Sequence, residues 1–173
     1  LSAPFAEFAG VQGGQRVLDV GCGPGALTAE LVTRVGAAST VGVDTSSSYV
    51  GSARQRFPEV RFEVAPAGEL PFTDDEFDAA LAQLVVHFMR DPVRDLGEMA
   101  RVTHAGGVVA ACVWDHAGGT SPLSTFWDVL STFDAGAPSE AALPGTREGQ
   151  LAEYLREAGL VDVAQTLLTV RVM

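Results

Sequence analysis

The chain has 173 residues, of which 47% are hydrophobic and 19% are charged, and its net charge is −11. This length suits one domain with a sizeable core, and the apolar content excludes disorder for most of the chain. The acidic charge argues against a nucleic-acid duplex as partner, because phosphate binding requires clustered Lys and Arg.

The first part of the chain alternates apolar β-branched runs with helical patterns, which is typical of βαβ units. Leu27, Leu31 and Val35 share one face of the first predicted helix, and Pro58 ends the second. The predicted order is a strand at residues 16–20, a helix at 26–35, a strand at 40–44, a helix at 46–57 and a strand at 60–64.

The second part continues the alternation, and Asp91-Pro92 predicts a helix start with Val93, Leu96 and Ala100 facing inward. Thr146 is predicted to cap a helix that Gly159 ends. The predicted order is a strand at residues 77–84, a helix at 92–102, a strand at 108–114 after Gly106-Gly107, a helix at 122–133, a mobile connection at 135–145, the helix after Thr146 and, at 161–172, a last strand or two broken ones.

The segment VLDVGCGPGALTAEL, residues 17–31, carries the strongest motif: a strand, a glycine-rich turn and the start of a helix. Gly21 and Gly23 allow a sharp turn without side chains that would block a ligand, and Gly25 lets the helix start lie close to it. The free N–H groups and the helix dipole favour a carboxylate or a phosphate there.

The same glycines also fit the dinucleotide fingerprint, because Gly21, Gly23 and Ala26 match its Gly/Ala variant. A nicotinamide-dependent oxidoreductase is therefore an alternative. Asp19 favours a different ligand, since a carboxylate in an apolar strand is costly without a partner and the ammonium group of a methionine would provide one. The alternative for Asp19 is that it only accepts N–H bonds from the turn.

Four segments occur in order along the chain: VLDVGCGPG, VGVDTS, LPFTDDEFDAAL and RVTHAGG. Together they resemble the class I S-adenosylmethionine-dependent methyltransferases of the small-molecule type, similar to those of ubiquinone and menaquinone biosynthesis (methyltransferase type 11 domain). The resemblance covers residues 17–114. It implies an α/β fold with a Rossmann-like, doubly wound, mainly parallel sheet of family strand order 3-2-1-4-5-7-6, in which the final hairpin is expected to be incomplete here.

The cofactor that the resemblance implies is S-adenosyl-L-methionine, which becomes S-adenosyl-L-homocysteine. Asp44 is implied to bind the ribose hydroxyls, with a helix N-cap as its alternative role, and Cys22 is predicted to pack. The residues implied to bind the cofactor are Asp19, Gly21, Cys22, Gly23, Gly25, Asp44, Thr45, Ala67, Gly68, Gln83 and Leu84.

One position departs from the family pattern, because Pro66 stands where the family has an Asp that accepts from the adenine amino group. Proline offers neither a carboxylate nor an N–H group, although the N–H of Ala67 can still donate to adenine. The departure keeps a second alternative open, a non-catalytic cofactor-binding relative.

The implied reaction is methyl transfer to a small-molecule acceptor by in-line displacement, mainly through positioning. His87 is the candidate catalytic base, with a capping or packing role as its alternative. Five further residues fit two predictions equally well, because they could line an apolar acceptor pocket or belong to the core: Trp114, Asp115, His116, Phe126 and Trp127.

The remaining expectations concern partners, location and chain ends. The two cysteines lack metal-ligand spacing, which predicts a reduced, cytoplasmic protein with no metal. We expect no nucleic-acid partner and no membrane insertion, while the resemblance also allows a homodimer. Residues 1–173 are expected to form a single methyltransferase core domain that is part of a longer native chain, since one strand of the family sheet and most of the N-terminal helices are missing.

Overall fold

The computed structural model describes residues 1–134 and 140–170, and these contain five strands and six α-helices. The strands are β1 (Val17–Val20), β2 (Thr40–Asp44), β3 (Arg61–Val64), β4 (Phe77–Gln83) and β5 (Thr103–Cys112). The helices are α1 (Ser2–Phe8), α2 (Ala26–Val35), α3 (Ser47–Arg56), α4 (Pro92–Val102), α5 (Ser124–Phe133) and α6 (Gln150–Glu157). None of the helices among the described residues is long and apolar enough to cross a bilayer.

The strands form one sheet in the order β3-β2-β1-β4-β5, and every pairing is parallel. Leu18 in β1 lies opposite Val41 in β2 and Ala80 in β4, so β1 is central. All four residues of β1 are buried, because helices cover both faces of a doubly wound sheet. The predicted α/β class and Rossmann-like parallel sheet are confirmed.

The core has two main layers of side chains, one on each face of the sheet. On one face, α4 and α6 contribute Leu96, Met99, Val102 and Leu155. On the other face, α1 and α2 contribute Phe5, Ala6, Leu27 and Leu31. These layers fix the positions of the strands, and therefore of the loops that follow their carboxyl ends.

Strand β5 begins at Thr103, five residues earlier than predicted, and ends at Cys112 rather than at residue 114. Phe77 pairs with Thr103 and Ala79 with Val108, so β5 bulges between these pairs. Gly107 lies against the backbone of this bulge, where a Cβ atom would meet the Asp78 carbonyl oxygen at 2.6 Å. The glycine pair that predicted a turn therefore accommodates a bulge inside a strand.

The predicted last strand at residues 161–172 is wrong, because residues 161–170 form no strand and residues 171–173 lie outside the described residues. Val161 and Leu167 are 82% and 77% exposed. β-Branched residues favour a strand only where a neighbouring strand receives them, and this segment pairs with no strand among the described residues, although Val163 and Leu168 pack against the core.

The helix starts are predicted correctly at α4 and wrongly at α6. The Asp91 carboxylate accepts the Arg94 N–H at 3.1 Å, so Asp91 caps α4 as predicted. The fully buried residues of α4 are Leu96, Met99 and Val102, whereas Val93 and Ala100 are only partly buried.

Thr146 does not cap α6, which begins at Gln150. Its hydroxyl instead donates to the carbonyl oxygens of Ala141 and Leu143, at 3.1 and 2.8 Å. The predicted connection at 135–145 begins with residues 135–139, which lie outside the described residues, and Glu140–Ala142 forms a 3-10 turn. The predicted helix at 122–133 begins two residues later, at Ser124.

Candidate functional site

The candidate site lies at the carboxyl ends of the strands, where the sheet order reverses between β1 and β4. Ligands of open α/β sheets bind at such a reversal, because the loops of adjacent strands diverge there and leave a crevice. β1 leads into the glycine turn, β2 ends at Asp44, and β4 ends at Gln83. The structure thus places these three predicted binding segments at one edge of the sheet.

The glycine turn is held against β2 by its own backbone. The N–H groups of Gly21 and Cys22 both donate to the Val43 carbonyl oxygen, at 2.7 and 2.9 Å. Gly21 and Gly25 adopt φ values of +69° and +92°, which side chains disfavour. The turn therefore has a fixed shape before any ligand arrives.

The three turn glycines create space for different neighbours. A methyl group added at Gly21 would lie 2.5 Å from Val85, and one at Gly25 would lie 2.6 Å from the Phe57 ring. A methyl group added at Gly23 would have no atom of the described residues within 4 Å, leaving out those of its two chain neighbours. Gly21 and Gly25 are thus required by packing within the protein, while Gly23 leaves an open cradle beside the turn.

Asp19 is almost completely buried, with 1% of its surface exposed, and its main partner is Thr28. The Thr28 hydroxyl donates to Asp19 Oδ2 at 2.6 Å. Burial raises the pKa of the Asp19 carboxyl to about 7, although hydrogen bonds from Thr28 lower it in part. The sequence analysis did not predict a role for Thr28. Its signal in the sequence is that a polar residue lies on the inward face of α2, between Leu27 and Leu31.

Asp44 joins the glycine turn to the loop after β2. Its Oδ2 atom accepts the Gly23 N–H and its Oδ1 atom accepts the Ser46 N–H, both at 2.8 Å. The N-cap of α3 is Ser46, whose hydroxyl oxygen accepts the Tyr49 N–H at 3.3 Å. The capping role considered for Asp44 therefore belongs to Ser46. Since an ionised carboxylate has about four acceptor positions, Asp44 keeps capacity for a ligand.

Ala67 and Gly68 lie in the loop after β3, at the same edge of the sheet. The Arg94 guanidinium donates to the Gly68 carbonyl oxygen at 3.3 Å, and a Cβ atom at Gly68 would overlap the Asp95 carboxylate. The first turn of α4 thus holds this loop in place. Pro66 is exposed, so the departure from the family pattern lies at the surface of the site.

Gln83 ends β4, and its side-chain Oε1 atom is buried without a hydrogen-bond partner among the described residues. Leu84 follows with a φ of +60°, which turns the chain sharply. Val85 then packs on Gly21. An unpaired buried oxygen costs about 1–3 kcal/mol, which makes Gln83 a candidate contact for a ligand group.

A cavity of about 260 Å³ adjoins this segment. His87 is buried on its wall, and burial followed by the charge of His116 lowers the pKa of its imidazole. His116 Nδ1 lies 3.4 Å from Glu140 Oε2 without hydrogen-bond alignment, while the Trp127 indole N–H donates to that oxygen at 2.8 Å. The lining residues are Leu84, His87, Phe88, Trp114, His116, Pro122, Leu123 and Glu140.

The five residues considered for an acceptor pocket divide between different places. Trp114 and His116 line the cavity. Trp127 is not among the lining residues, but its indole N–H donates to Glu140, which is. Asp115 instead accepts the Gly118 N–H and the Thr120 hydroxyl within its own loop. Phe126 is 55% exposed on α5. Neither a shared pocket nor the core accounts for the whole set.

Cys22 is buried, and its thiol lies 3.6 Å from the Gly23 carbonyl oxygen. Burial raises the pKa of this thiol well above its ordinary range, as do the charges of Asp19 and Asp44. Because the thiolate is the reactive form, Cys22 packs rather than acting as a nucleophile.

Comparison with known proteins gives a family match over the centre of the chain. The sequence profile described as "Methyltransferase domain" matches residues 18–111, just over half of the chain. This range contains β1 except for Val17, β2 to β4, α2 to α4 and most of β5. The matched part therefore includes the glycine turn, Asp44, the loop after β3 and Gln83, while the cavity residues from Trp114 onward lie outside it.

Three known proteins illustrate the similarity. The ubiquinone/menaquinone biosynthesis C-methyltransferase UbiE of Bdellovibrio bacteriovorus is 34% identical over 61% of this chain and 46% of that protein. The trans-aconitate 2-methyltransferase of Deinococcus radiodurans is 30% identical over 86% of this chain and 59% of that protein. The solved structure of a Haemonchus contortus phosphoethanolamine N-methyltransferase superimposes with a TM-score of 0.71 and 22% identity, over 93% of this chain and 37% of that chain. The chain spans about half the length of the curated relatives it matches.

Proposed function

The chain belongs to the methyltransferase domain family, and on that premise we propose that it binds S-adenosylmethionine and transfers a methyl group to a small-molecule acceptor. The observation that carries the proposal is the position of Asp44. Its carboxylate lies at the end of β2, contacts the glycine turn at Gly23, and leaves the helix cap to Ser46. A carboxylate so placed can accept both hydroxyls of a ribose.

S-adenosylmethionine fits the groups at this edge of the sheet. The open cradle at Gly23 has room for backbone-bound ligand atoms, and Gln83 Oε1, which has no hydrogen-bond partner in the described part of the chain, offers an acceptor. We assign the methionine part to the turn, the ribose to Asp44 and the adenine to the loop after β3. The residues that would hold the cofactor are Asp19, Gly21, Cys22, Gly23, Gly25, Asp44, Thr45, Ala67, Gly68, Gln83 and Leu84.

When bound, the cofactor supplies a methyl group attached to a sulfonium sulfur. The leaving group is a neutral thioether, which needs no protonation. The chain therefore has to position the two reactants and exclude water, and alignment alone can supply on the order of 7–11 kcal/mol of the barrier. The rigid turn and the Asp44 contacts serve that positioning. A base is needed only when the acceptor must lose a proton, and His87 is the candidate for this role.

Titration calorimetry with S-adenosylhomocysteine and with NADH, run side by side, tests the proposal. We expect S-adenosylhomocysteine to bind with one site per chain and NADH to give no binding heat. Adenosine is the matched control, and we expect it to bind more weakly because it lacks the methionine part that the turn receives. Binding of NADH alone, or of neither compound, would contradict the proposal.

A further inference from the structure

We propose that Arg101 and Glu98 on α4 are positioning residues, which fix the loop after β3 so that it distinguishes adenine from hypoxanthine. The inference rests on the proposed function and deepens it, because it assigns base specificity to residues outside the cofactor site. It is carried by the contacts between α4 and residues 68–72, by the N–H group of Ala67 and by the proline at position 66.

One ion pair of α4 binds the backbone of Leu70 on both sides. Glu98 Oε1 accepts the Leu70 N–H at 3.0 Å, and the Arg101 guanidinium donates to the Leu70 carbonyl oxygen at 3.2 Å. The same guanidinium donates to the Phe72 carbonyl oxygen at 3.0 Å and to the two Glu98 oxygens at 2.8 and 2.7 Å. Helix α4 therefore holds this backbone much as a neighbouring strand would.

The geometry of the pair depends on a guanidinium. Hydrogen bonds from Arg101 hold the pKa of Glu98 below its ordinary range, so the carboxylate stays ionised. Arginine spreads five donors over a rigid fork, whereas lysine has three donors at a single point. A lysine at position 101 cannot bind Glu98 through two parallel bonds and also reach both carbonyl oxygens.

A further contact of α4 lies closer to the loop, at Gly68. The Arg94 guanidinium donates to the Gly68 carbonyl oxygen at 3.3 Å, and a side chain at Gly68 would overlap the Asp95 carboxylate. Positions 94, 98 and 101 are spaced by four and by three residues, so their side chains share one face of the helix. This face binds residues 68, 70 and 72 in turn and fixes the end of the loop.

Ala67 is the loop residue whose position this anchoring sets, because it directly precedes Gly68. Its N–H group makes no hydrogen bond to any residue that the structure describes. Pro66 has neither a side-chain acceptor nor an N–H group, so recognition of the base is left to the backbone of Ala67. An N–H donor pairs with N1 of adenine, which is an acceptor. It opposes N1 of hypoxanthine, which carries a hydrogen.

Comparison of two ligands that differ only in the base tests the inference. Calorimetry with S-adenosylhomocysteine and with S-inosylhomocysteine gives a ratio of affinities for each variant. We expect a ratio of about ten in the unmodified protein and a ratio below about three in Arg101→Lys. Loss of stability alone would weaken the binding of both ligands equally and would leave the ratio unchanged.

Arg34→Lys is the matched control. Arg34 pairs with Glu30 one turn earlier and donates to the Ala3 carbonyl oxygen, and it lies at the end of α2 that is far from the glycine turn. We expect this variant to keep the ratio of the unmodified protein. Arg94→Met removes the exposed guanidinium that binds Gly68 and should lower the ratio about two- to threefold. It decides the question if Arg101→Lys fails to fold.

An unchanged ratio in Arg101→Lys, or in Arg94→Met where that variant decides, would overturn the inference. Equal affinities of the unmodified protein for the two ligands would overturn it as well, because the base would then not be read by this loop. A ratio that falls to the same extent in Arg34→Lys would also count against it, since the effect would not be specific to α4. Failure of S-adenosylhomocysteine to bind the unmodified protein would instead overturn the proposed function.

Discussion

Asp19→Asn is expected to stabilise the free protein and, at the same time, to weaken its binding of S-adenosylhomocysteine. Asp19 is 1% exposed, and burial raises its pKa from 3.8 to about 7. A shift of this size corresponds to about 4 kcal/mol of lost stability once the carboxyl is ionised. Asparagine keeps an oxygen for the Thr28 hydroxyl and carries no charge, so it removes the cost of ionisation, which the burial of its own amide N–H groups offsets by about 1–3 kcal/mol.

The sign of the pH dependence follows from the raised pKa. The folded state binds the Asp19 proton more tightly than the unfolded state, so the cost is absent below about pH 4 and complete above about pH 7. The stabilisation by Asp19→Asn in urea unfolding should therefore be larger at pH 8 than at pH 5.5, by about 2 kcal/mol. An equal change at both values would show that Asp19 is not the titrating group.

The loss of binding in Asp19→Asn has an electrostatic cause. We propose that the carboxylate faces the ammonium group of the methionine part, directly or through water. Removing such a charged interaction should cost about 1.5–3 kcal/mol, measured by calorimetry with S-adenosylhomocysteine. Glu7→Gln makes the same change of charge at an exposed position of α1 and should leave the affinity unchanged. Unchanged affinity in Asp19→Asn would remove Asp19 from the site.

Asp44→Asn is expected to weaken binding of S-adenosylhomocysteine by about 1.5–3 kcal/mol, because bonds from the ribose to a charged acceptor are lost. Ser46→Ala is the matched control from the same loop. It removes the hydroxyl that caps α3 and should lower the stability by about 0.5–2 kcal/mol while preserving the affinity. A loss in Asp44→Asn that is below the measurement error would mean that Asp44 only organises the turn.

Much of the sheet and its glycine turn could be predicted from the sequence, because their signals are local. The turn follows from Gly21, Gly23 and Gly25 in one short segment, and the start of α4 follows from Asp91-Pro92. Buried parallel strands are continuous apolar runs, so β1 and β4 are visible without knowledge of their neighbours. These elements agree with the structure to within one residue.

The features that the sequence did not predict depend on distant contacts. The bulge in β5 is set by its pairing with β4, and the segment at 161–170 is no strand because it lacks a partner among the described residues. The hydrogen bond between Thr28 and Asp19 joins a helix to a strand. The approach of His87 to His116 and Glu140 requires three segments to meet, which no local pattern encodes.

A crystal structure of the chain with S-adenosylhomocysteine is the most direct test of the assignment of the cofactor site. We predict that both ribose hydroxyls lie within about 2.5–3.2 Å of the Asp44 carboxylate oxygens and that the methionine part lies on the glycine turn. A ligand bound away from the carboxyl ends of β1 and β2, or a ribose that does not contact Asp44, would contradict the assignment.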